Sequence, residues 1–475
     1  MRRTWALIVI TILSCCGLYY LPKQVMGYQL KKIDLFSDLH KKAPKLNMDS
    51  IVKLMEAMDT LTSDTIAIPP SIEEVKVDTL LMHQRDSLFN ELHTTNGADS
   101  TGNHIEDYTF GHVGLKRFLT ALSQAKQRAV HIAVMGDSFI EGDIFVADLR
   151  SSLQQLVGGK GVGYLPITSV ADPFRASVNY SGTGWNTHKI GIDSLYRFTI
   201  PGFVYTADTI AEIHTLDIKM TRRYKTMRSV SQVQILYQKN LDSKVKISIN
   251  GEPEEEITLP KTNQLRAFSI NHDSIRTASI AFTQTDSLTL LGTTWDGQKG
   301  ISVDNFSVRG CSGMPFVGTN HQEDMKLNEL RPYDLIILQY GLNIVTDDQL
   351  DYNWYRYHMK RMVRHLQNSY PSADILIMGV SDRCHLENGE FKTMPAILSM
   401  LYTQRKMAQE LKINFWNTYG AMGGENSMVK FVEKNWASKD YTHLSSAGGR
   451  ELARDFLKAL MNEKKLYDQT ASKLQ

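Results

Sequence analysis

Three short segments of this chain hold side chains that together could run acyl transfer through a serine. Gly136-Asp137-Ser138 offers a hydroxyl nucleophile. Asp440-Tyr441-Thr442-His443 sets a general base and a carboxylate that can orient its imidazole within one loop. Asn343, in Gln339-Tyr340-Gly341-Leu342-Asn343, supplies an amide able to donate to a developing oxyanion. Each also has a plainer use: Ser138 as a helix N-cap, Asn343 as a turn residue, Asp440 or Ser445 as the cap of the last helix, and His443 as a loop histidine.

What separates these uses is where the elements put the residues. Residues 129–135 read as a buried strand ending at Gly136, and Val146, Leu149, Leu153 and Leu156 then repeat at helical spacing. That is a strand, a tight turn and a helix, the opening unit of an α/β sheet, preceded by a helical run at Leu115, Phe118, Leu119 and Leu122. Residues 334–340, 375–380 and 413–416 read as further strands, with a helix over 355–366 and a closing amphipathic helix over 447–461. In an open parallel sheet the loops at the carboxyl edge converge, and all three chemical segments fall in such loops.

Residues 172–307 have another grammar. Short alternating runs at 196–200, 233–237, 245–249 and 278–282, with turns at Asn250-Gly251 and Asn271-His272-Asp273, predict an antiparallel β-sandwich that interrupts the α/β domain. Composition fits a multi-domain globular chain: 475 residues, 42% hydrophobic, with Lys+Arg 53 against Asp+Glu 51 and a net charge of +2. No basic stripe interleaved with aromatics and no P-loop lysine occurs, which argues against a nucleic-acid or nucleotide partner. Arg2 and Arg3 followed by an apolar run over 4–21 are the layout of an export signal. The run is long enough to serve as an uncleaved anchor, and Ile12-Leu13-Ser14-Cys15 is similar to a lipobox, so the localisation expected is periplasmic or cell-envelope. Residues 27–110 are polar and turn-rich and read as a stalk or linker. Cys311 and Cys384, the cysteines outside the export segment, suit either one bridge or two buried thiols.

Taken in order, Gly136-Asp137-Ser138, Gly341-Leu342-Asn343 and Asp440-Tyr441-Thr442-His443 resemble the blocks of the SGNH (GDSL-type) hydrolase superfamily. The resemblance implies a three-layer flavodoxin-like domain with a parallel sheet, a catalytic triad of Ser138, His443 and Asp440, and an oxyanion hole from Ser138, Asn343 and a glycine. For that glycine we take Gly313 in Gly310-Cys311-Ser312-Gly313, with Gly310 its rival. Ile344 stands where the family often has aspartate. About 175 residues separate Ser138 from Gly313, room for a whole inserted domain.

An exported SGNH domain split in this way is similar to bacterial peptidoglycan O-acetylesterases, whose insert resembles a carbohydrate-binding module. The organisation expected is therefore 1–26 signal or anchor, 27–110 stalk, 111–172 first SGNH part, 173–305 sandwich and 306–475 second SGNH part. Trp185, Trp295 and Tyr180 with Asp296 are candidates for stacking on a sugar, or else sandwich core. The function implied is an esterase removing acetyl or other acyl groups from an O-acetylated envelope polysaccharide, with no metal or cofactor. An O-acetyltransferase would use the same triad, and a non-catalytic wall-glycan-binding protein is the alternative from another class. Three other signals are weaker. Gly159-Lys160-Gly161-Val162-Gly163 lacks Walker spacing and reads as a flexible turn at the site's rim, Asp382-Arg383 reads as an ion pair or a substrate contact, and adjacent Cys384-His385 cannot aim at each other.

Overall fold

A computed structural model describes residues 99–110 and 113–473, with the backbone of 24–25 and 28–29. The expected export segment and most of the expected stalk lie outside the described residues. Strands β1 (Gln24–Val25) and β2 (Tyr28–Gln29) pair antiparallel within one compact unit, Met1–Glu73. The second unit, Glu74–Gln475, holds all that follows. Among the described residues no helix is long and apolar enough to cross a membrane.

The stalk expectation fails at its end. Residues 99–110 belong to the α/β domain, because β3 (Glu106–Asp107) pairs with a strand at the sheet's edge and Glu106 receives two 2.8 Å bonds from Arg405. Both side chains are fully buried, so a buried ion pair ties this polar segment to the domain, with Ile105 buried beside it.

Past it, α1 (Lys116–Ser123) leads into β4 (Ala129–Gly136), whose apolar run is buried on both faces, and then α2 (Val146–Val157). The chain leaves the domain through β5 (Gly161–Leu165). It crosses β6 (Val178–Thr183), β7 (Trp185–Lys189), β8 (Phe203–Ala207), β9 (His214–Met220), β10 (Val230–Lys239), β11 (Lys244–Ile249), β12 (Glu255–Thr258), β13 (Arg266–Ile275), β14 (Thr277–Thr283) and β15 (Thr289–Asp296). It re-enters with β16 (Gly300–Ser307). There follow α3 (His321–Leu330), β17 (Leu335–Gln339), α4 (Asn353–Ser369), β18 (Asp374–Met378), the hairpin β19 (Cys384–Glu387) and β20 (Glu390–Thr393), α5 (Pro395–Leu411), β21 (Asn414–Trp416), α6 (Thr418–Met422), α7 (Ser427–Glu433) and α8 (Ser446–Lys473).

The main sheet runs β16-β4-β17-β18-β21-β3, parallel except for β3. Helices α1, α2 and α8 pack in one group, and α3, α4 and α5 in another, giving the three-layer flavodoxin-like order. Ser307, Gly136 and Gln339 share one register level, so the loops after β16, β4 and β17 leave the sheet side by side.

The interruption is an antiparallel sandwich. One sheet runs β13-β10-β15-β8-β7 with β5 added to β15, and the other β12-β11-β14-β9-β6. Its extent, β5 to β15, differs from 173–305 at both ends. β5 is drawn into the sandwich by pairing with β15, while Gly300 already pairs with Ala129 in the parallel sheet. Two local expectations also fail. Residues 196–200 are irregular, since Phe198 C=O and Ile200 N–H bond Asn320 and Asp324 outside the sandwich. Asn271-His272-Asp273 lies inside β13, an edge strand whose exposed positions tolerate polar residues. Arg331 ties sandwich to sheet, its buried guanidinium 2.7 Å from Asp296 of β15 and 2.5 Å from Asp304 of β16.

Candidate active site

Ser138 stands just beyond β4. Gly136 is needed there because a Cβ would sit 2.9 Å from the Gln339 carbonyl and 3.0 Å from Ile140. Asp137 then turns inward, its Oδ1 accepting the Phe139 N–H at 2.9 Å, which leaves Ser138 partly exposed at the edge.

The base comes from the loop before α8. Asp440 Oδ1 accepts the Ser438 hydroxyl at 2.6 Å and the backbone N–H groups of Thr442 and His443, each at 3.0 Å. This closes a turn tight enough to hold Tyr441 at φ 54° and aims Asp440 Oδ2 at His443 Nδ1, 2.7 Å away. Desolvation opposes ionisation of Asp440, but the Ser438 hydroxyl and the His443 donors outweigh it and hold the carboxyl well below the usual range. An ionised Asp440 makes Nδ1 the protonated nitrogen of a neutral imidazole. Its Nε2 then faces Ser138 Oγ as an acceptor at 3.2 Å.

Asn343 follows β17 in the next loop. Its Nδ2 donates to Asp137 Oδ2 at 2.7 Å and to the Cys311 carbonyl at 3.2 Å, so one amide ties together the three loops after β4, β16 and β17. Arg383 steadies this turn by donating to the carbonyls of Leu342 and Val345 at 3.4 and 3.3 Å. Asp137 is buried, and burial pushes its carboxyl up to about 7 against the pull of the Phe139 N–H and His443. Asp137 belongs to the Gly-Asp-Ser segment, yet its service to Asn343 was not readable from spacing.

Gly313 is buried at φ 90° with its N–H 3.4 Å from Cys311 Sγ, and a Cβ would strike Tyr340 at 2.8 Å and Met359 at 2.9 Å. Its rival Gly310 is exposed, at φ 74° in the turn closed by Cys311 N–H and Val308 C=O at 3.0 Å, with nothing within 4 Å of its Cβ direction. Among the described residues the fold gives the Gly310 N–H no partner.

The sugar-stacking candidates are brought elsewhere. Trp295 is fully buried in the sandwich core and Tyr180 nearly so. Asp296 is spent on Arg331, and Trp185 packs on Phe282 and His214 with its N–H on Thr215 C=O. Trp295 and Tyr180 offer no open aromatic face, because alternating strand positions turned these rings inward, and Trp185 is half-buried against the same core. The Gly159–Gly163 stretch also misses the rim. It packs on Ile301 and Trp295 at the amino end of β16, where a Cβ on Gly159 would lie 2.5 Å from Ile301 O.

Asp382 makes no pair with Arg383 and instead accepts from Thr393, Ser427 and the Met428 N–H. Cys311 and Cys384 are separate buried thiols, and His385 pairs with Asp347. Among the described residues no group of three or more His, Cys, Asp or Glu side chains could hold a metal. His443 and Asp440 are each about half exposed, and two cavities of about 370 and 450 Å³ lie away from them, beside α1 and on the outer face of the β6–β9–β14 sheet. The triad thus sits open on the surface.

No family model matches the chain, and no curated protein matches it. A solved peptidoglycan O-acetylesterase superposes with a TM-score of 0.63 at 21% identity, over 76% of this chain and 99% of that one. A family two carbohydrate esterase from Cellvibrio japonicus covers 61% of this chain and 99% of its own at 11% identity, with a TM-score of 0.24. A family 32 carbohydrate-binding module from C. perfringens, solved with galactose, covers 28% and 98% at 16% identity, with a TM-score of 0.19. Of these three, the first shares the fold as a whole; the others do not define one. The chain therefore shares the fold of that solved esterase, with its own parallel sheet interrupted by an antiparallel sandwich.

Proposed function

We propose that this chain is an exported serine esterase that removes O-acetyl groups from peptidoglycan or another envelope polysaccharide. The observation that carries the reading is the continuous line Asp440 Oδ2, His443, Ser138 Oγ at 2.7 and 3.2 Å, placed where β4 and β17 diverge at the carboxyl edge. That edge is where open α/β sheets bind ligands. The sharing of fold with a peptidoglycan O-acetylesterase and the open triad, which suits an acetyl group on a polymer, support the substrate class. Export rests on Arg2, Arg3 and the apolar run that follows.

The steps follow from the residues. His443 Nε2 takes the Ser138 proton as Oγ attacks the ester carbonyl carbon, and Asp440 steadies the imidazolium. The oxyanion is met by the Ser138 and Gly313 N–H groups and by the Asn343 amide, which exchanges its 3.2 Å bond to the Cys311 carbonyl for the substrate oxygen. Collapse breaks the ester bond, with His443 returning the proton to the departing sugar oxygen and acetyl left on Ser138. Water, deprotonated by His443, attacks the acetyl-enzyme; acetate leaves and Ser138 regains its proton. The test measures acetate released from O-acetylated peptidoglycan by the full chain and by Asp440→Ala. Release by the former, largely lost in the latter, is expected; equal release by both would overturn the triad.

A further inference from the structure

The hairpin β19–β20 touches two of the catalytic loops at once. Its Cys384 N–H donates to the Tyr441 carbonyl at 3.1 Å, inside the Asp440–His443 turn, and His385 Nδ1 lies 2.6 Å from Asp347 Oδ1, four residues after Asn343. Across the tight turn of Asn388 and Gly389, at φ 51° and 87°, Leu386 pairs with Phe391. The Phe391 ring stacks on Tyr441, with centroids 3.6 Å apart and planes 12° from parallel. We propose that Phe391 and Tyr441 form an aromatic platform that binds a sugar ring of the acetylated glycan strand beside the triad, and so sets a preference for the polymer over small esters. This inference rests on the serine esterase reading given above and names the part of the chain that meets the glycan.

The fold itself gives these side chains little to do. Phe391 keeps 37% of its surface exposed despite the stack, and Leu386 beside it 63%. The other face of the hairpin is polar, carrying His385 and the Glu387–Lys392 pair, so two strands alone enclose no core for the apolar face to fill. Tyr441 is held at φ 54°, a conformation that glycine or asparagine adopts at less cost. The turn around Asp440 would be met more cheaply by either, and what tyrosine adds is its ring.

The place and chemistry suit a pyranose. Tyr441 stands two residues before His443, so the backbone between them spans roughly 7 Å at most, and a sugar seated on the stack lies next to the catalytic imidazole. A pyranose presents a face of C–H groups and a rim of hydroxyls; aromatic rings take the face, and the Tyr441 hydroxyl can donate to or accept from the rim. The hairpin is also fixed at its base, where the Thr393 hydroxyl donates to Asp382 at 2.8 Å and the Thr393 N–H to Asn426 at 2.9 Å. A platform held in this way loses little freedom on binding. It supplies on the hairpin what the buried Trp295 and Tyr180 of the sandwich do not.

The experiment compares wild type, Phe391→Ala, Phe391→Leu and Phe391→Trp in the full chain. Acetate release is measured on soluble O-acetylated peptidoglycan strands and on a small alkyl acetate, and the ratio of the two kcat/KM values is the readout. Phe391→Ala is expected to lower that ratio about 10-fold, chiefly through a higher KM on the strands, at an unchanged unfolding midpoint. Phe391→Leu should stay low and Phe391→Trp should restore the ratio. A wild-type ratio in Phe391→Ala would overturn the proposal. So would rates on both substrates falling together, the mark of a disturbed His443 turn, or a ratio lost along with the midpoint and not rescued by tryptophan. Calorimetry then reads binding of the same strands to the Ser138→Ala chain with and without Phe391→Ala, and about 10-fold weaker binding is expected from the second change. Equal binding, or none by Ser138→Ala itself, would overturn the platform. Failure of the esterase reading shows separately, as no serine-dependent acetate release by wild type, and the binding comparison still decides the platform in that case.

Discussion

Replacing Asn343 with alanine should separate two jobs done by one amide. The first is catalytic. Loss of one preorganised oxyanion donor lowers kcat by roughly 10²–10³, or about 3–4 kcal/mol of barrier. The second is structural. Asp137, 1% exposed, loses the 2.7 Å bond to its Oδ2 and keeps the Phe139 N–H on Oδ1, while the Cys311 carbonyl loses its 3.2 Å donor. A buried acceptor left short of a donor costs about 1–3 kcal/mol of stability. Because burial already pushes Asp137 up to about 7, and Asn343 is among the groups that oppose this, removing the amide favours protonation further. A protonated Asp137 needs the lost donor less, so the stability loss should be smaller at pH 6 than at pH 8.5, whereas the kcat loss persists at both. Steady-state kinetics on a chromogenic acetyl ester and urea unfolding at the two pH values measure both. A stability loss with kcat within about 3-fold of wild type would leave Asn343 a brace for Asp137 and refute its oxyanion role.

Three further outcomes follow from the geometry. Asp440→Asn keeps the loop's shape but not the charge that fixes the His443 tautomer, so kcat should drop about 10³- to 10⁴-fold while unfolding changes little, as read by kinetics and circular dichroism. Asp137 has a folded-state value near 7 against an unfolded value near 3.9, so the folded state binds the extra proton between them, and this contribution is full below about pH 4 and is lost as pH rises through 7. Unfolding measured from pH 4 to 8 should therefore show Asp137→Asn gaining on wild type as pH rises, by up to roughly 4 kcal/mol, and a flat difference would contradict it. Glu106→Ala takes both 2.8 Å acceptors from the buried Arg405 guanidinium and should cost about 3–5 kcal/mol in denaturant unfolding, which an unattached stalk residue would not.

Much of the α/β layer could be read from the sequence because strands buried on both faces are continuous apolar runs, as at 129–135 and 335–339. The catalytic loops followed, since Ser138 and Asn343 come just after such strands and His443 just before the closing amphipathic helix. What the sequence hid was anything decided by long-range pairing. β5 has a glycine-rich pattern with no strand signature, and β15 alone makes it part of the sandwich. Glu106 looks like stalk until Arg405, nearly 300 residues later, comes to meet it. Gly310 and Gly313 are three positions apart in one small-residue turn, and spacing alone does not show that Gly310 is exposed while Gly313 is buried against Tyr340 and Met359. Trp185, Trp295 and Tyr180 have the composition of a sugar platform, but the sandwich core claims aromatics first.

The central claim is that Ser138 is the nucleophile of an acetylesterase, and its acetyl-enzyme is the most direct test. The full chain, mixed with O-acetylated peptidoglycan and quenched within one turnover, should carry an acetyl group on the peptide containing Ser138, detected by intact and peptide mass spectrometry. It should release about one acetate per turnover, and Ser138→Ala should show neither. Acetate release that persists in Ser138→Ala, or an acetyl group found on another residue while Ser138 stays free, would contradict the account.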